Sequence, residues 1–306
     1  MSLNSLTVNR TAMSSPETSS KELRTLANPN PRHETPRACL LQQLQELSVT
    51  MLRATTTAMA VRSPRTALSL EELAGGCLAF CGPDVPLTRA IGVGTAGSVR
   101  EAEVARVESF YRARNSAVRI VISERTDPWL PAILKKRGYQ AADYMQNWWL
   151  PLERKALVQV SGDIEIVPAG LKEADLWVRT VAAGFQEKDS PVDEGRIQRR
   201  TLDTFYCLGF ADGAQRFFAK YKGVIAGGGA LHVSGETASI RTASCRIEHR
   251  NKGVQRALLA FRLEAAIKAG CRFAFSSTDK LGASSRNLRR FGFTPLSNSF
   301  TMSSVH

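Results

Sequence analysis

Apolar stretches and glycine-bounded turns in the last third of the chain predict a fixed order of elements. Two apolar stretches joined by the turn Ser234–Glu236 predict a pair of strands. From Val254 to Ala269 the apolar residues recur at helical spacing, and the pattern stops at Gly270. The predicted order is two strands over 223–233 and 238–245, a helix over 254–269, a short buried strand over 273–277, a short helix over 284–291 and a last strand near Phe293.

A weaker version of this pattern occurs in the first half of the chain. Leu134–Tyr139 parallels Leu288–Phe293, and each is preceded by an apolar strand and, before that, an amphipathic helix. In the first half this helix is predicted over Glu101–Arg114, and Ser98 with Glu101 is expected to form a capping box at its start. Two related units in tandem are therefore predicted.

The segment Glu248–Leu259 contains the most informative chemistry. Arg250, Lys252 and Gly253 lie where a loop becomes the N-terminus of the predicted helix. The first backbone N–H groups of a helix have no partner inside it, and the helix dipole adds roughly half a positive charge there. Because Gly253 lets the backbone come close, this place suits a diphosphate.

A different glycine pattern, Gly92–Gly97, fits the signature G-x-G-x-x-G of dinucleotide-binding loops. That signature is informative only between a strand and a helix, with an acidic residue about 20 positions further on. Here turn and cap residues follow the loop, and no second strand ends in an acid at that distance. We therefore favour a structural or dimerising role for the first half, in which Thr95–Arg100 stands where the anion-binding loop would be expected.

The order of elements and the loop resemble the GCN5-related N-acetyltransferase (GNAT) superfamily. The family loop pattern Arg/Gln-x-x-Gly-x-Gly/Ala matches Arg250-x-x-Gly253-x-Gln255 at two of three fixed places, and Asn287…Gly292-Phe293 matches a second family region. The resemblance implies an α+β (α/β) fold with a mixed, mostly antiparallel sheet, flanking helices and a central splay of parallel strands. The expected organisation is a disordered extension over 1–37, a degenerate GNAT-like domain over 38–152 and a GNAT acetyltransferase domain over 153–306.

The resemblance also implies that acetyl-CoA is the co-substrate. The pantetheine arm would pair with the backbone of Cys245, Arg246 and Ile247, and Asn287 would contact the coenzyme arm. A primary amine would attack the thioester carbonyl directly, with a backbone N–H stabilising the oxyanion. The diphosphate would lie on Arg250, Asn251, Lys252, Gly253, Val254, Gln255 and Arg256.

Proton transfer departs from the family pattern. Many members place a tyrosine four residues before the glycine of Gly-Phe, where this chain has Leu288. Cys245 is a candidate proton donor, with a buried strand cysteine as the alternative. Glu248 and Asp279 are the candidate bases, because they are nearest to the site in sequence, with surface or capping carboxylates as the alternative. No metal site is expected, because the six cysteines form no C-x-x-C pair.

The chain has a net charge of +13 and a pI near 9.8, and most of the excess positive charge lies near the proposed loop. Residues 241–290 contain twelve basic and three acidic residues. Such a field would attract the phosphates of coenzyme A. A solvated basic face is one alternative and nucleic-acid binding is another, but aromatic residues do not interleave with these bases, so no nucleic-acid partner is expected.

The remaining sequence features indicate the expected cellular location. No apolar run approaches membrane-spanning length, no signal peptide is apparent and the cysteines fit a reducing compartment, so a cytoplasmic protein is expected. It is expected to be a monomer or a homodimer. The acceptor is expected to be a small-molecule or peptide amine, recognised by 185–189 and 191–203. A non-catalytic acyl-CoA-binding or regulatory protein on the same fold is the alternative function.

Overall fold

The computed structural model describes residues 36–83, 85–152, 162–185, 198–280 and 282–304. The predicted extension over 1–37 lies outside these ranges except for Pro36 and Arg37, and Arg37 is already the first residue of a long helix. The helices are α1 (Arg37–Arg62), α2 (Glu101–Arg112), α3 (Leu130–Lys136), α4 (Ala174–Gly184), α5 (Arg199–Phe210), α6 (Val254–Lys268) and α7 (Ala283–Arg290).

The strands of these ranges form one continuous sheet in the order β1-β2-β3-β4-β12-β5-β11-β9-β8-β7-β6, with β10 paired to β8. Residues from Pro36 onward form one compact unit. The strands are β1 (Ser69–Leu73), β2 (Gly76–Phe80), β3 (Arg89–Ile91), β4 (Arg119–Ser123), β5 (Gln140–Pro151), β6 (Ile164–Pro168), β7 (Ala214–Tyr221), β8 (Val224–Ser234), β9 (Thr237–Ser239), β10 (Ala243–Cys245), β11 (Phe273–Thr278) and β12 (Thr294–Ser303).

The two halves repeat one topology. In the first half β2 and β3 are antiparallel, β3 and β4 are parallel, and α2 connects the parallel pair. In the second half β8 and β9 are antiparallel, β9 and β11 are parallel, and α6 makes the connection. The predicted mixed, mostly antiparallel sheet with central parallel strands is therefore confirmed.

Each half also receives a strand from the other. β5, from the first half, pairs with β11 along Phe273–Thr278. β12, the last strand of the chain, pairs with β4 and β5, which both belong to the first half. Trp148 of β5 is fully buried in the core of the second half and donates from Nε1 to Thr278 Oγ1 at 2.9 Å. The pairing of β5 with β11 and of β12 with β4 and β5 thus crosses the boundary at 152/153, and the tandem division stays a proposal.

The faces of the sheet are covered differently. On one face α6 and α7 bury Leu258, Leu263 and Leu288 against the second half. On the other face α1 packs Leu44 and Leu47 against β11 and β12, while later residues of α1 pack against β2, β3 and α5. α1 thus lies along both halves. None of the helices in the described ranges combines the length and the apolarity needed to cross a bilayer.

One predicted local feature is wrong. The capping box of α2 begins at Arg100 rather than Ser98, because the Arg100 amide donates to the carboxylate of Glu103 at 2.7 Å. The amide of Val99, just before the cap, donates to Asp127 Oδ2 at 2.6 Å. A carboxylate from a distant loop therefore fixes the start of this helix, which local spacing could not indicate.

Candidate functional site

A β-bulge separates β9 from β10 and opens the centre of the second half. The register with β8 shifts by one residue between Ser239 and Ala243. The Ile240 amide still donates to Phe275 O of β11 at 3.0 Å, but β10 beyond it pairs only with β8. Bulges bend a strand and occur often beside active sites. The parallel strands therefore diverge after Ile240, as the predicted splay requires.

The backbone of β10 directs polar groups into this gap. Ala230 N donates to Thr242 O at 2.7 Å, and Arg246 N donates to Ala226 O at 2.9 Å, so these residues bond to β8. Because bonding direction alternates along a strand, the N–H and C=O groups of Ala243 and Cys245 face the other side. They offer an added strand, such as a pantetheine arm, a ladder of hydrogen bonds.

The side chain of Arg262 from α6 holds the bulge from the α6 side. Its Nη1 donates to Ala230 O at 3.0 Å, to Ile240 O at 3.1 Å and to Thr242 O at 3.2 Å. Its Nε donates to Leu258 O at 3.0 Å. The side chain is only 3% exposed, and burial without a carboxylate lowers its pKa to about 10. One guanidinium thus donates to three carbonyls on the two strands that flank the bulge.

Glycines of β8 make this arrangement possible. A Cβ on Gly227 would lie 2.5 Å from Ser244 O, and a Cβ on Gly229 would lie 3.3 Å from Arg262 Nε. The run of glycines in the predicted strand therefore allows β10 and the arginine to approach the backbone closely.

The start of α6 presents free amides to solvent. Within the described residues, no acceptor is recorded for the amides of Gly253, Val254, Gln255 and Arg256, and Ala257 is the first to bond back, to Gly253 O at 3.0 Å. Gly253 has φ of 85°, where a side chain is strained. The first turn contains no acidic residue. These features suit an anion at the helix N-terminus.

A cleft of about 800 Å³ joins the free amides to the gap. It is bounded by the loop before α6, the first turns of α7 and the end of α4. Of the predicted coenzyme residues, all except Arg246, Ile247 and Lys252 line it. Lining residues that the sequence analysis did not assign to the coenzyme are Gly184, Phe185, Ala243, Ser244, His249, Ala283, Ser284, Arg290 and Phe291.

Positive side chains surround the mouth of this cleft. Arg250 Nη2 donates to Gly184 O at 3.0 Å, which ties the loop to the end of α4. Lys252 Nζ lies 5.1 Å from the ring centre of Tyr221, and Arg256 is exposed beside the free amides. Most of the segments predicted to recognise the acceptor cannot be placed, because residues 186–197 lie outside the described residues.

The predicted proton-transfer residues have different environments. Cys245 lines the cleft and is 5% exposed, and burial raises the pKa of its thiol to about 11. Glu248 does not line the cleft. Burial alone would raise its pKa, but hydrogen bonds from its own backbone amide and from Arg246, whose Nε is 2.9 Å away, hold that pKa below its usual range. Leu288 is buried in the core, so no hydroxyl occupies that place.

The equivalent place in the first half is already filled by carboxylates. Asp127, 7% exposed, accepts from the amides of Val99 and of Trp129, the latter at 3.0 Å. The first turn of α2 contains Glu101 and Glu103. These negative charges at the helix N-terminus would repel a phosphate.

Replacing Asp127 by alanine is expected to lower the free energy of unfolding by about 1–3 kcal/mol, because buried amides lose a charged acceptor. Urea denaturation measures the change, and Asp279→Ala, at an exposed carboxylate, is the control expected to stay within about 0.5 kcal/mol. Equal stability of the two variants would contradict the assigned role of Asp127.

Residues 182–293 match the family model described as the acetyltransferase (GNAT) family. This range contains the bulge, the free amides and the whole cleft lining. A search of curated proteins finds no significant match. The predicted resemblance to this superfamily is thus confirmed for the part of the chain that holds the candidate site.

Several solved structures share the fold over most of the chain. A GCN5-related N-acetyltransferase from Kribbella flavida is 14% identical, with a TM-score of 0.62 over 89% of this chain and 96% of that chain. A tandem GNAT protein from the clavulanic acid biosynthesis pathway is 16% identical, with a TM-score of 0.55 over 85% of this chain and 93% of that chain. A putative GNAT acetyltransferase from Novosphingobium aromaticivorans is 12% identical, with a TM-score of 0.52 over 81% and 96%. At these identities the likeness establishes the fold.

Proposed function

We propose that this protein is an acetyl-CoA-dependent N-acetyltransferase whose active site is the splay between β10 and β11. The observation that carries the proposal is the set of four free amides at the start of α6, whose first turn has no acidic residue, at one end of a gap lined by strand backbone. The family match over 182–293 supports it. The first half would be a degenerate tandem copy, because carboxylates occupy the equivalent helix start.

In the proposed reaction the diphosphate of acetyl-CoA binds the free amides and the pantetheine arm pairs with Ala243 and Cys245. A neutral primary amine attacks the thioester carbonyl, the C–N bond forms, the C–S bond breaks, and the amine proton reaches the leaving thiolate. Of the two predicted proton-transfer residues we propose Cys245 as the donor, because it lines the cleft and burial keeps its thiol protonated: it gives its proton to the leaving thiolate and takes the amine proton in return. Glu248 is a poorer base than expected, since Arg246 binds it.

The second candidate is a non-catalytic acyl-CoA-binding protein. The observation that favours it is Leu288, which is 5% exposed in the core where many family members have a tyrosine. Thioester consumption separates the two functions. Release of free thiol from acetyl-CoA with any member of a broad amine panel supports the enzyme, and tight coenzyme binding without turnover supports the binding protein.

The cellular compartment and the acceptor of the proposed enzyme are inferred from less specific features of the chain. All six cysteines are free, which fits a reducing compartment, and we propose the cytoplasm. The acceptor would be a small-molecule or peptide amine.

Replacing Gly253 by glutamate is expected to weaken acetyl-CoA binding at least about 100-fold. A negative charge within about 5 Å of a phosphate costs about 3 kcal/mol at an effective dielectric constant near 20. The side chain has room, because the nearest atom to a Cβ at this position is Ile164 Cδ1 at 3.5 Å. Titration calorimetry gives the dissociation constant.

Two controls isolate the charge. Gly253→Ala has the same backbone strain without the carboxylate and is expected to weaken binding much less. Gly97→Glu places the same residue at a positive-φ glycine of the first half, with no atom within 4 Å of its Cβ, and is expected to leave affinity unchanged. Unchanged coenzyme affinity in Gly253→Glu would refute the assignment of the site to the start of α6. A large loss of affinity in Gly97→Glu would show that the coenzyme binds in the first half.

A further inference from the structure

Two arginines from different halves lie on the face of the sheet that α1 covers, and the charge of Arg89 acts on Arg241. Arg89 belongs to β3, and Arg241 lies in the bulge next to Ile240, the last residue of the strand to pair with β11. Arg241 Nη2 lies 3.3 Å from Ser48 Oγ of α1. Its neighbour Ile240 packs instead in the core under α6. Arg241 thus lies at the point where the strands diverge, and its side chain points away from the coenzyme loop.

Several polar atoms around these arginines lack partners. Within the described residues, Arg89 Nε and Arg241 Nε are buried and donate to no acceptor, and Ser239 Oγ, two residues before Arg241, is buried without a hydrogen-bond partner. Ser239 is only 2% exposed. Gln45 Nε2 is also unpartnered; it lies against Gly92, three residues after Arg89, and Gln45 is one helical turn from Ser48, the residue that Arg241 contacts. Buried polar groups in folded proteins are normally paired, so this group of atoms indicates a missing ligand or bound water.

The charges in this group do not balance. No ion pair joins Arg89 or Arg241 to a carboxylate in the described residues. Burial and the charge of Arg89 lower the pKa of Arg241 to about 10. Burial lowers the pKa of Arg89 and the positive charge of Arg119 lowers it further, although Cys81, Asp143 and Tyr111 oppose the shift. Both arginines nevertheless keep part of their surface accessible to water.

Such an arrangement costs stability unless an anion completes it. Buried charges without partners are strongly unfavourable, and a guanidinium binds a carboxylate through two parallel hydrogen bonds. Arg241 also lies beside the place where the thioester would be presented. A group held by Arg241 would therefore be part of the acceptor, bound from the α1 side.

We propose that the acceptor amine bears a carboxylate, which Arg241 and Arg89 bind between the two halves, with Ser239 and Gln45 as further polar contacts. This inference rests on the proposed acetyl transfer and narrows it to one substrate class. It also gives the first half a role, because Arg89 supplies one of the two guanidiniums. The transfer itself is unchanged: the amine nitrogen takes the acetyl group and its proton leaves with the coenzyme thiol.

The test uses the full chain saturated with acetyl-CoA and a panel of free L-amino acids paired with their amides. Calorimetry and thiol release are expected to show at least about tenfold tighter binding, or lower KM, for some acids than for their amides. Arg241→Gln and Arg89→Gln are expected to remove that difference while the coenzyme dissociation constant stays the same. Arg272→Gln, at an exposed arginine, is the control that should preserve it.

Stability provides an independent readout. If the arginines serve a ligand, Arg241→Gln without ligand should melt at the same or a higher temperature, because one repelling buried charge is gone. The proposal is overturned if amides bind as well as acids, if no panel member binds the coenzyme-loaded chain, if only inorganic phosphate binds, or if Arg241→Gln melts lower and keeps the acid preference. Absence of coenzyme binding would instead refute the proposed function, and the coenzyme titration shows that separately.

Discussion

Replacing Arg262 by methionine is expected to lower the free energy of unfolding by about 3–5 kcal/mol and to weaken acetyl-CoA binding at least about tenfold. The methionine fills similar space but leaves the carbonyl oxygens of Ala230, Ile240 and Thr242 without the donor that now binds them. Without this clamp the bulge can relax and β10 can close towards β11. Urea denaturation and titration calorimetry measure the two effects.

The control is Arg272→Met, which removes an exposed arginine that pairs with Glu236 at 3.2 Å. Exposed ion pairs contribute little, so this variant is expected to lose less than about 1 kcal/mol and no coenzyme affinity. Replacing a buried ion by an apolar side chain sometimes stabilises a protein. A stable Arg262→Met variant with unchanged affinity would show that the bulge does not depend on this guanidinium.

Residues 153–306 produced alone are expected to show no cooperative unfolding transition. This fragment lacks β5, so β11 becomes an exposed edge, and β12 loses both of its partner strands. It also lacks Trp148, the largest side chain in the core that α6 and α7 cover. Circular dichroism during denaturation detects the loss, and addition of residues 36–152 in trans is expected to restore part of the transition.

Two tryptophans test the same strand exchange in the full chain. Trp148→Ala is expected to cost about 3–5 kcal/mol, as for other buried large-to-small changes. Trp129→Ala removes a side chain that is 71% exposed and is expected to cost less than about 0.5 kcal/mol. A fragment of 153–306 that unfolds cooperatively, with Trp148→Ala as mild as Trp129→Ala, would contradict the exchange.

Local patterns predicted the second half well because its elements depend on neighbours in sequence. The spacing from Val254 to Ala269 and the glycine after it predicted a helix that is observed over Val254–Lys268. The start of that helix also identified the free amides, since helix geometry alone leaves them without partners. The strand over 238–245 was predicted unbroken, whereas the structure divides it at the bulge, which Arg262 supports from another element.

Features that depend on distant contacts could not be read from the sequence. The exchange of β5 and β12 follows from pairing between halves, and alternation of apolar residues does not choose among partners. α1 was not predicted, because its threonine run weakens the helical pattern. Arg89 and Arg241 lie on parts of the chain that are not neighbours in the sheet, so local spacing cannot indicate that the charge of one acts on the other.

The central claim is that one anion-binding helix start, in the second half alone, binds acetyl-CoA. Calorimetric titration of the full chain with acetyl-CoA tests it most directly, because one experiment gives both affinity and stoichiometry. We predict saturable binding with one coenzyme per chain, abolished by Gly253→Glu and retained by Gly97→Glu. Two coenzymes per chain, or none, would contradict the account.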